Sequence, residues 1–139
     1  VIPAGNSELA KNLFLLGSLL ENNDFLELSR ELVLKIEPRI REHAAFYYNW
    51  FDLYTLQTAK FLEIAVTGKD WETKRQEVSE LFIPYSCKLG GENEHLGLLQ
   101  GKLQQGKTLI YICLDKTCKA PKEDVAKEDL ETLYQAQAK

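Results

Sequence analysis

The periodicity of the sequence changes at Phe61. From there to Thr67 the chain reads FLEIAVT, a nearly continuous apolar run that predicts a buried strand ended by Gly68. Residues 1–60 instead repeat apolar side chains at helical spacing, and no Pro/Gly/Ser-rich linker separates the two patterns. We therefore predict an α+β or α/β fold, with helical hairpins over residues 1–60 and a small α/β subdomain over residues 61–139.

The segments after Gly68 predict the rest of the α/β subdomain. A helix, two strands and a closing polar helix are expected at Asp70–Leu81, Phe82–Leu89, Thr108–Cys113 and Asp124–Gln137, respectively. Pro84 lacks an N–H, which places the strand at 82–89 near a sheet edge or at a strand start. A strand, a helix and a strand with short joints form a right-handed βαβ unit by default, so we expect a three-stranded sheet.

Three helices are expected in residues 1–60. Asn6 or Ser7 can cap the first helix. Its leucines recur at helical spacing, at Leu9, Leu13, Leu16 and Leu20. The second helix begins with Asp24 and is bent or ended by Pro38. The third, at about 42–60, is rich in aromatic residues, which could stack on a sugar or a base but more commonly pack against neighbouring helices.

The loop before the last strand matches a phosphate-binding pattern. Gly101, Gly106, Lys107 and Thr108 fit GxxxxGK[ST], which binds phosphate when a strand enters the loop and a helix leaves it. Here the order is reversed, because a strand follows the lysine. We therefore interpret the match as a tight loop that leads into a strand, and rank a nucleotide-binding enzyme using Lys107 third among the functional hypotheses.

Two of the three cysteines form the pattern Cys113-x4-Cys118. The four residues between them suit a hairpin or loop that brings the two sulfurs together, as a disulfide or as half of a zinc site. The other soft ligands are Cys87, His43 and His95, none at paired metal-ligand spacing. We predict no metal and no cofactor, and reduced thiols in a cytoplasmic protein, because the composition is not that of a disulfide framework.

Composition and charge exclude two classes of partner. The formal net charge is −4 and no stripe of Lys and Arg stands out, which argues against a nucleic-acid surface. No apolar run reaches the roughly 18 residues that a membrane-spanning helix needs. The chain holds no methionine and opens with Val1, and we expect from this that it is a fragment of a longer protein.

Three stretches together resemble a known family. They are IPAGNSELAKNLFLL at 2–16, FLEIAVTG at 61–68 and the segment from Gly106 to Pro121, which holds GKxxxYxC and CxxP patterns. In this order and spacing they resemble the C-terminal end of a thioredoxin-domain-containing family of unknown function, which includes bacterial YyaL-type proteins and animal spermatogenesis-associated proteins. The resemblance covers essentially the whole chain.

The resemblance implies an architecture for a longer parent protein. Members look like a thioredoxin-like domain followed by an α/α toroid of the six-hairpin glycosidase type and a short α/β tail, so this chain would hold the last toroid helices and the tail. The cysteine motif of the thioredoxin-like domain would lie upstream, and Cys113 and Cys118 do not correspond to it. Asn6 and Ser7 match a family motif near the cavity of the toroid, although helix capping explains them equally well.

We therefore expect a structural or interaction-bearing region without a complete active site, from a parent that is carbohydrate- or redox-related by fold resemblance alone. Its partners would be its own upstream domains or a second copy in a homodimer. The alternative is a small redox or metal-binding module that uses Cys113 and Cys118. Glu63, the one acid in the apolar strand, is expected to lie at a sheet edge or to pair with Lys or Arg rather than to act in catalysis.

Overall fold

The structure is a computed structural model and describes residues 5–125 and residue 129. Contacts divide the chain into two compact units, with the boundary between Ala59 and Lys60. Helices precede strands, and the fold is α+β, as predicted. Within the described residues, no helix combines the length and the apolar composition that crossing a bilayer requires.

The N-terminal unit consists of three helices: α1 (Gly5–Leu20), α2 (Asn23–Glu42) and α3 (Tyr48–Thr58). Its interior holds large apolar side chains such as Val33, Trp50 and Leu53, which are almost completely removed from water. Their burial provides most of the favourable free energy that opposes the entropic cost of ordering the helices.

The joint between α1 and α2 has the geometry of a Schellman motif. The N–H of Asn22 donates to the carbonyl of Gly17 at 2.9 Å. Between them Glu21 is left-handed, with φ of 53°. The Asn22 side chain then accepts from the N–H of Phe25 at 3.2 Å and caps α2. The sequence predicts Asp24 as the start of this helix. That prediction is wrong by two residues, because Asp24 already lies inside the helix.

The helix boundaries depart from the sequence prediction in three further places. Asn6 and Ser7 lie inside α1, so neither is its cap. Pro38 does not end α2, which continues to Glu42. Proline removes only its own N–H donor, and the remaining hydrogen bonds and the burial of Ile40 beyond it keep the helix intact. The third helix begins at Tyr48, since residues 43–47 form turns.

The C-terminal unit is a four-stranded mixed sheet with one α-helix after its first strand. Its elements are β1 (Leu62–Thr67), α4 (Trp71–Glu80), β2 (Ser86–Gly91), β3 (Leu109–Leu114) and β4 (Thr117–Cys118), with a 3₁₀ turn at Gly97–Leu99. The strand order is β2-β1-β3-β4. The pair β1–β2 is parallel, as the strand–helix–strand pattern predicts, and β3 and β4 continue the sheet antiparallel.

Both faces of β1 are buried, which confirms the prediction from its continuous apolar run. One face carries Leu62, Ile64 and Val66, which pack in a cluster with Val78 of α4 and with other apolar side chains of the unit. The opposite face carries the alternate residues of the same strand, beginning with Glu63. That second face also carries Cys87 and Cys113, the register partners of Glu63 on the neighbouring strands.

The second predicted strand is displaced along the chain. It was expected at Phe82–Leu89, whereas β2 begins at Ser86 and ends at Gly91. Pro84 cannot donate to a ladder, and Tyr85 has a φ of 52°, which breaks the extended backbone just before β2. Phe82, which was expected to begin this strand, is 90% exposed.

The expected three-stranded sheet gains a fourth strand, the two-residue β4, whose length is too short to leave a periodic signal in the sequence. The predicted tail helix at Asp124–Gln137 falls mostly on residues outside the described ranges.

Candidate functional site

The hairpin β3–β4 brings Cys113 and Cys118 together. Its turn consists of Asp115 and Lys116, both left-handed with φ of 48° and 62°. Two consecutive residues with positive φ define a type I′ turn, whose twist matches that of the strands it joins. Cys113 and Cys118 are directly opposite each other in the resulting register.

The two cysteines occupy a non-hydrogen-bonded position of this ladder. One step further from the turn, the N–H of Lys119 donates to the carbonyl of Ile112 at 3.0 Å, which makes Ile112 and Lys119 a hydrogen-bonded pair. Antiparallel pairs alternate, so the adjacent cysteines belong to the closer, non-hydrogen-bonded type, in which facing side chains approach most nearly. The sulfurs form a disulfide, where the sequence had indicated reduced thiols.

This cysteine pair is part of a row that crosses the whole sheet. Glu63 of β1 is the register partner of Cys87 on β2 and of Cys113 on β3, and Cys113 in turn faces Cys118 on β4. Register partners on neighbouring strands project from the same face. We call Cys87, Glu63, Cys113 and Cys118 the thiol row.

Three residues of the thiol row are buried, and the fourth, on the edge strand, is partly exposed. Cys113 is 1% exposed, Glu63 and Cys87 are 8% exposed, and Cys118 on the edge strand is partly exposed. A charged side chain as buried as Glu63 needs polar partners. One of them is the N–H of Lys116 in the hairpin turn, which donates to Oε2 of Glu63 at 3.4 Å. The acid thus connects β1 to the turn that holds the disulfide.

The electrostatics of the row disfavour thiolates in its interior. Burial, and then the charge of Glu63, raise the pKa of Cys87 to about 12. A thiol with so high a pKa is protonated and poorly nucleophilic near neutral pH. Cys87 is therefore an inert member of the row.

The phosphate-pattern loop lines a cavity of about 790 Å³ at the carboxyl ends of β1 and β2. Three lysines and four carboxylates line it: Lys69, Lys74, Lys107, Asp70, Glu92, Glu123 and Asp124. Lys74 already pairs with Glu77 and Asp124, and the N–H of Asp70 donates to Oγ1 of Thr108 at 3.1 Å.

The chain leaves Lys107 into β3 rather than into a helix. A lining with more carboxylates than lysines, and with no helix after Lys107, is unsuited to a phosphate group.

The structure gives Ser7 a polar contact between helices and leaves Asn6 exposed. Ser7 is buried, and its Oγ accepts from Nδ2 of Asn49 at 2.8 Å. The same amide nitrogen lies 2.9 Å from Oε1 of Glu8. These bonds connect α1 to α3. They satisfy buried polar groups of Ser7 and Asn49, so no ligand is needed to explain this polar pair.

No metal centre accompanies the cysteines in the part of the chain that the structure describes, since no three His, Cys, Asp or Glu side chains gather there in a way that could hold an ion. A half zinc site at Cys113 and Cys118 would need two further ligands. The geometry therefore favours a disulfide pair over a metal site.

Comparison with protein-family models, with curated proteins and with solved structures finds no match to this chain.

Sequence reasoning identified Cys113 and Cys118 but not the rest of the thiol row. Glu63 was noticed as an acid within an apolar strand, and Cys87 only as a spare soft ligand. Glu63 and Cys87 both lie on strands that the sequence predicts. Their place in one row with Cys113 becomes visible only once strand order and register are known.

Proposed function

We propose that this chain is a structural and interaction-bearing region of a thioredoxin-domain-containing protein of the kind it resembles, and that its helices pack against further helices of the parent or of a second copy. On this proposal the chain by itself is not catalytic, requires no cofactor and resides in the cytoplasm. Its acidic net charge of −4 favours protein partners over nucleic acid.

The observation that carries the proposal is the orientation of α1. Its buried positions are mostly small, Ser7, Ala10, Gly17 and Ser18 beside Phe14. Three of its leucines point outward instead: Leu9 is 55%, Leu16 45% and Leu20 40% exposed. A helix that turns small residues toward its own unit and large apolar residues toward solvent is suited to a second packing surface.

The rest of the N-terminal unit also exposes large apolar side chains. They are Leu28 and Leu34 on α2, Phe46 in the turn before α3, and Tyr48 and Phe51 on α3. Scattered exposed leucines are ordinary on proteins, but so many exposed large apolar side chains in one small helical unit are typical of a surface that a partner covers. In the absence of the parent's helices, a second copy of the chain is the simplest available partner.

Light scattering over a concentration series tests this proposal. We expect the unaltered chain to self-associate and the double variant Leu9→Lys/Leu16→Lys to remain monomeric, because two buried charges would oppose the interface. Gln76→Lys/Gln100→Lys is the matched control, since it adds the same two charges at exposed polar positions of the C-terminal unit. A strictly monomeric unaltered chain at high concentration would contradict the proposal.

A second candidate function is favoured by the cysteine register. Disulfides in reducing compartments are usually transient and catalytic or redox-sensing. The pair of Cys113 with the partly exposed Cys118 on an edge strand is accessible to another thiol. We therefore propose as the alternative that this pair is a reversible thiol–disulfide module of the chain.

Redox titration tests the alternative. The protein is equilibrated with mixtures of reduced and oxidised glutathione that span roughly −180 to −300 mV, and the oxidised fraction is read by alkylation and mass spectrometry. A reversible module changes state within this range, from either starting direction. A pair that stays oxidised at every ratio, or stays reduced at every ratio, would exclude it.

A further inference from the structure

We propose that the cavity at the carboxyl ends of β1 and β2 is a binding site for a small ligand with the charges of a basic amino acid, that is, one carboxylate and two cationic groups. The phosphate pattern borders the same cavity, but the ligand that fits its lining carries different charges. This site is independent of both functions proposed above.

The chain leaves β1 and β2 toward opposite faces of the sheet. After β1 it enters α4, whose Trp71 ring packs at Gly90 on the face of Val66. After β2 it enters the 3₁₀ turn, whose Leu99 side chain packs at Gly91 on the other face. Such a divergence leaves a crevice outside the carboxyl ends of parallel strands, where open α/β sheets bind their ligands. The cavity of about 790 Å³ lies there.

Hydrogen bonds hold the walls of this crevice in place. On one side, the N–H of Asp70 at the beginning of α4 donates to Oγ1 of Thr108 at 3.1 Å. On the other side, Oγ1 of Thr67 donates to the carbonyl of Lys102 at 2.8 Å, just before residues 103–108, which line the cavity. The crevice is therefore formed before a ligand arrives, which lowers the entropic cost of binding.

Charged side chains follow a fixed order along this edge of the sheet. They are Glu92 after β2, Lys69 after β1, Lys107 before β3, and Glu123 after the bridge that residue 122 makes to the outer side of β3. Since the strand order is β2-β1-β3, the crevice presents a carboxylate, two ammonium groups and a second carboxylate in turn.

These four charges are available to a ligand. Within the described ranges, no ion pair or hydrogen bond engages any of the four side chains, whereas Lys74 in the same lining is held by Asp124 and Glu77. Charges that line a cleft raise the local concentration of a ligand of opposite sign. The adjacent lysines suit a carboxylate, and the acids on either side suit two cationic groups. A polyphosphate, by contrast, would meet Glu92 and Glu123 with like charge.

Titration of the isotope-labelled chain with L-lysine, followed by amide chemical shifts, is the primary test. We expect saturable shifts at millimolar ligand that centre on residues 68–70, 92 and 103–108. An absence of shifts at these concentrations, or shifts that centre elsewhere on the chain, would overturn the proposal.

Two analogues of L-lysine test the charge pattern. Cadaverine lacks the carboxylate, and L-norleucine lacks the side-chain ammonium. We expect each to bind more weakly than L-lysine by roughly two- to fivefold, the value of an exposed ion pair. Equal affinity for cadaverine would mean that the lysines take no part and that the crevice is only an acidic surface, which contradicts the proposal.

Charge-removing variants assign the ends of the ligand. Lys107→Gln should weaken the binding of L-lysine by roughly two- to fivefold but leave that of cadaverine unchanged, because cadaverine has no carboxylate. Glu92→Gln should weaken the binding of both. Lys119→Gln and Glu80→Gln are the matched controls, since these exposed charges lie outside the cavity lining. Amide spectra without ligand confirm the fold of each variant, and equal losses in the controls would refute the site.

Discussion

Gly68 ends β1 in a conformation and a space that only glycine fits. Its φ is +127°, a region that side-chain-bearing residues rarely adopt. A Cβ at this position would lie 2.3 Å from the carbonyl oxygen of Lys107 and 2.6 Å from Cα of Thr108. Both are backbone atoms at the entry to β3, so they cannot rotate away as the end of a flexible side chain would.

The substitution Gly68→Ala should therefore carry two separate costs. Forcing a left-handed conformation on alanine costs about 1–2 kcal/mol. Overpacking against fixed backbone adds about 1–3 kcal/mol. Their sum, about 2–5 kcal/mol, is a large part of the 5–15 kcal/mol by which domains are typically stable. We expect the free energy of unfolding of the C-terminal unit to fall by this amount.

Gly106→Ala is the matched control, because Gly106 also has a positive φ, of +77°, but nothing lies within 4 Å of its Cβ position. It should show only the conformational cost. Urea unfolding followed by the fluorescence of Trp71, in a Trp50→Phe background, reports on the C-terminal unit, since the chain has two tryptophans. Equal losses of stability in Gly68→Ala and Gly106→Ala would refute the steric part of this reasoning.

Four further outcomes are expected. Lys116→Gly, which relieves a φ of 62° in the hairpin turn, should stabilise the chain to urea by about 0.5–1 kcal/mol, and a loss would contradict the turn assignment. Glu21→Gly, at the left-handed end of α1, should give a similar gain in thermal unfolding. The folded chain raises the pKa of Cys87 from an ordinary 9.0 to about 12. The stability that this thiol contributes should therefore be full below pH 9 and lost as the pH rises toward 12. Iodoacetamide labelling of Cys87 at pH 8 should require unfolding. Calorimetry should detect no ATP binding to the unaltered chain, and the variant Lys107→Ala should give the same result.

The elements that the sequence predicted well are those with a strong local signal. The run from Leu62 to Thr67 is apolar at nearly every position, and only a strand buried on both faces accounts for it. The β1–β2 pairing followed from the short joints around α4, because a strand–helix–strand unit has few other arrangements.

The displaced elements depend on contacts between distant residues. β2 extends to Gly91, and Gly90 within it admits the ring of Trp71, since a Cβ at Gly90 would lie 2.3 Å from Cε3 of that ring. No periodicity within residues 82–91 carries this information. In the same way, the cap of α2 fell on Asn22 because the left-handed Glu21 ended α1 just before it, which is a property of the joint rather than of either helix.

The thiol row shows why part of the site could be predicted and part could not. Cys113 and Cys118 are five residues apart, so a single hairpin determines their contact, and spacing alone indicated it. Glu63 is separated from them by about fifty residues. It lies beside Cys113 because β3 pairs with β1 rather than with β2.

Had β3 joined the sheet beside β2, the carboxylate would lie one strand further from the disulfide, and the buried sulfur would face Cys87 instead. The strand order therefore places Glu63 beside Cys113 and leaves Cys118 on the outermost strand of the described sheet.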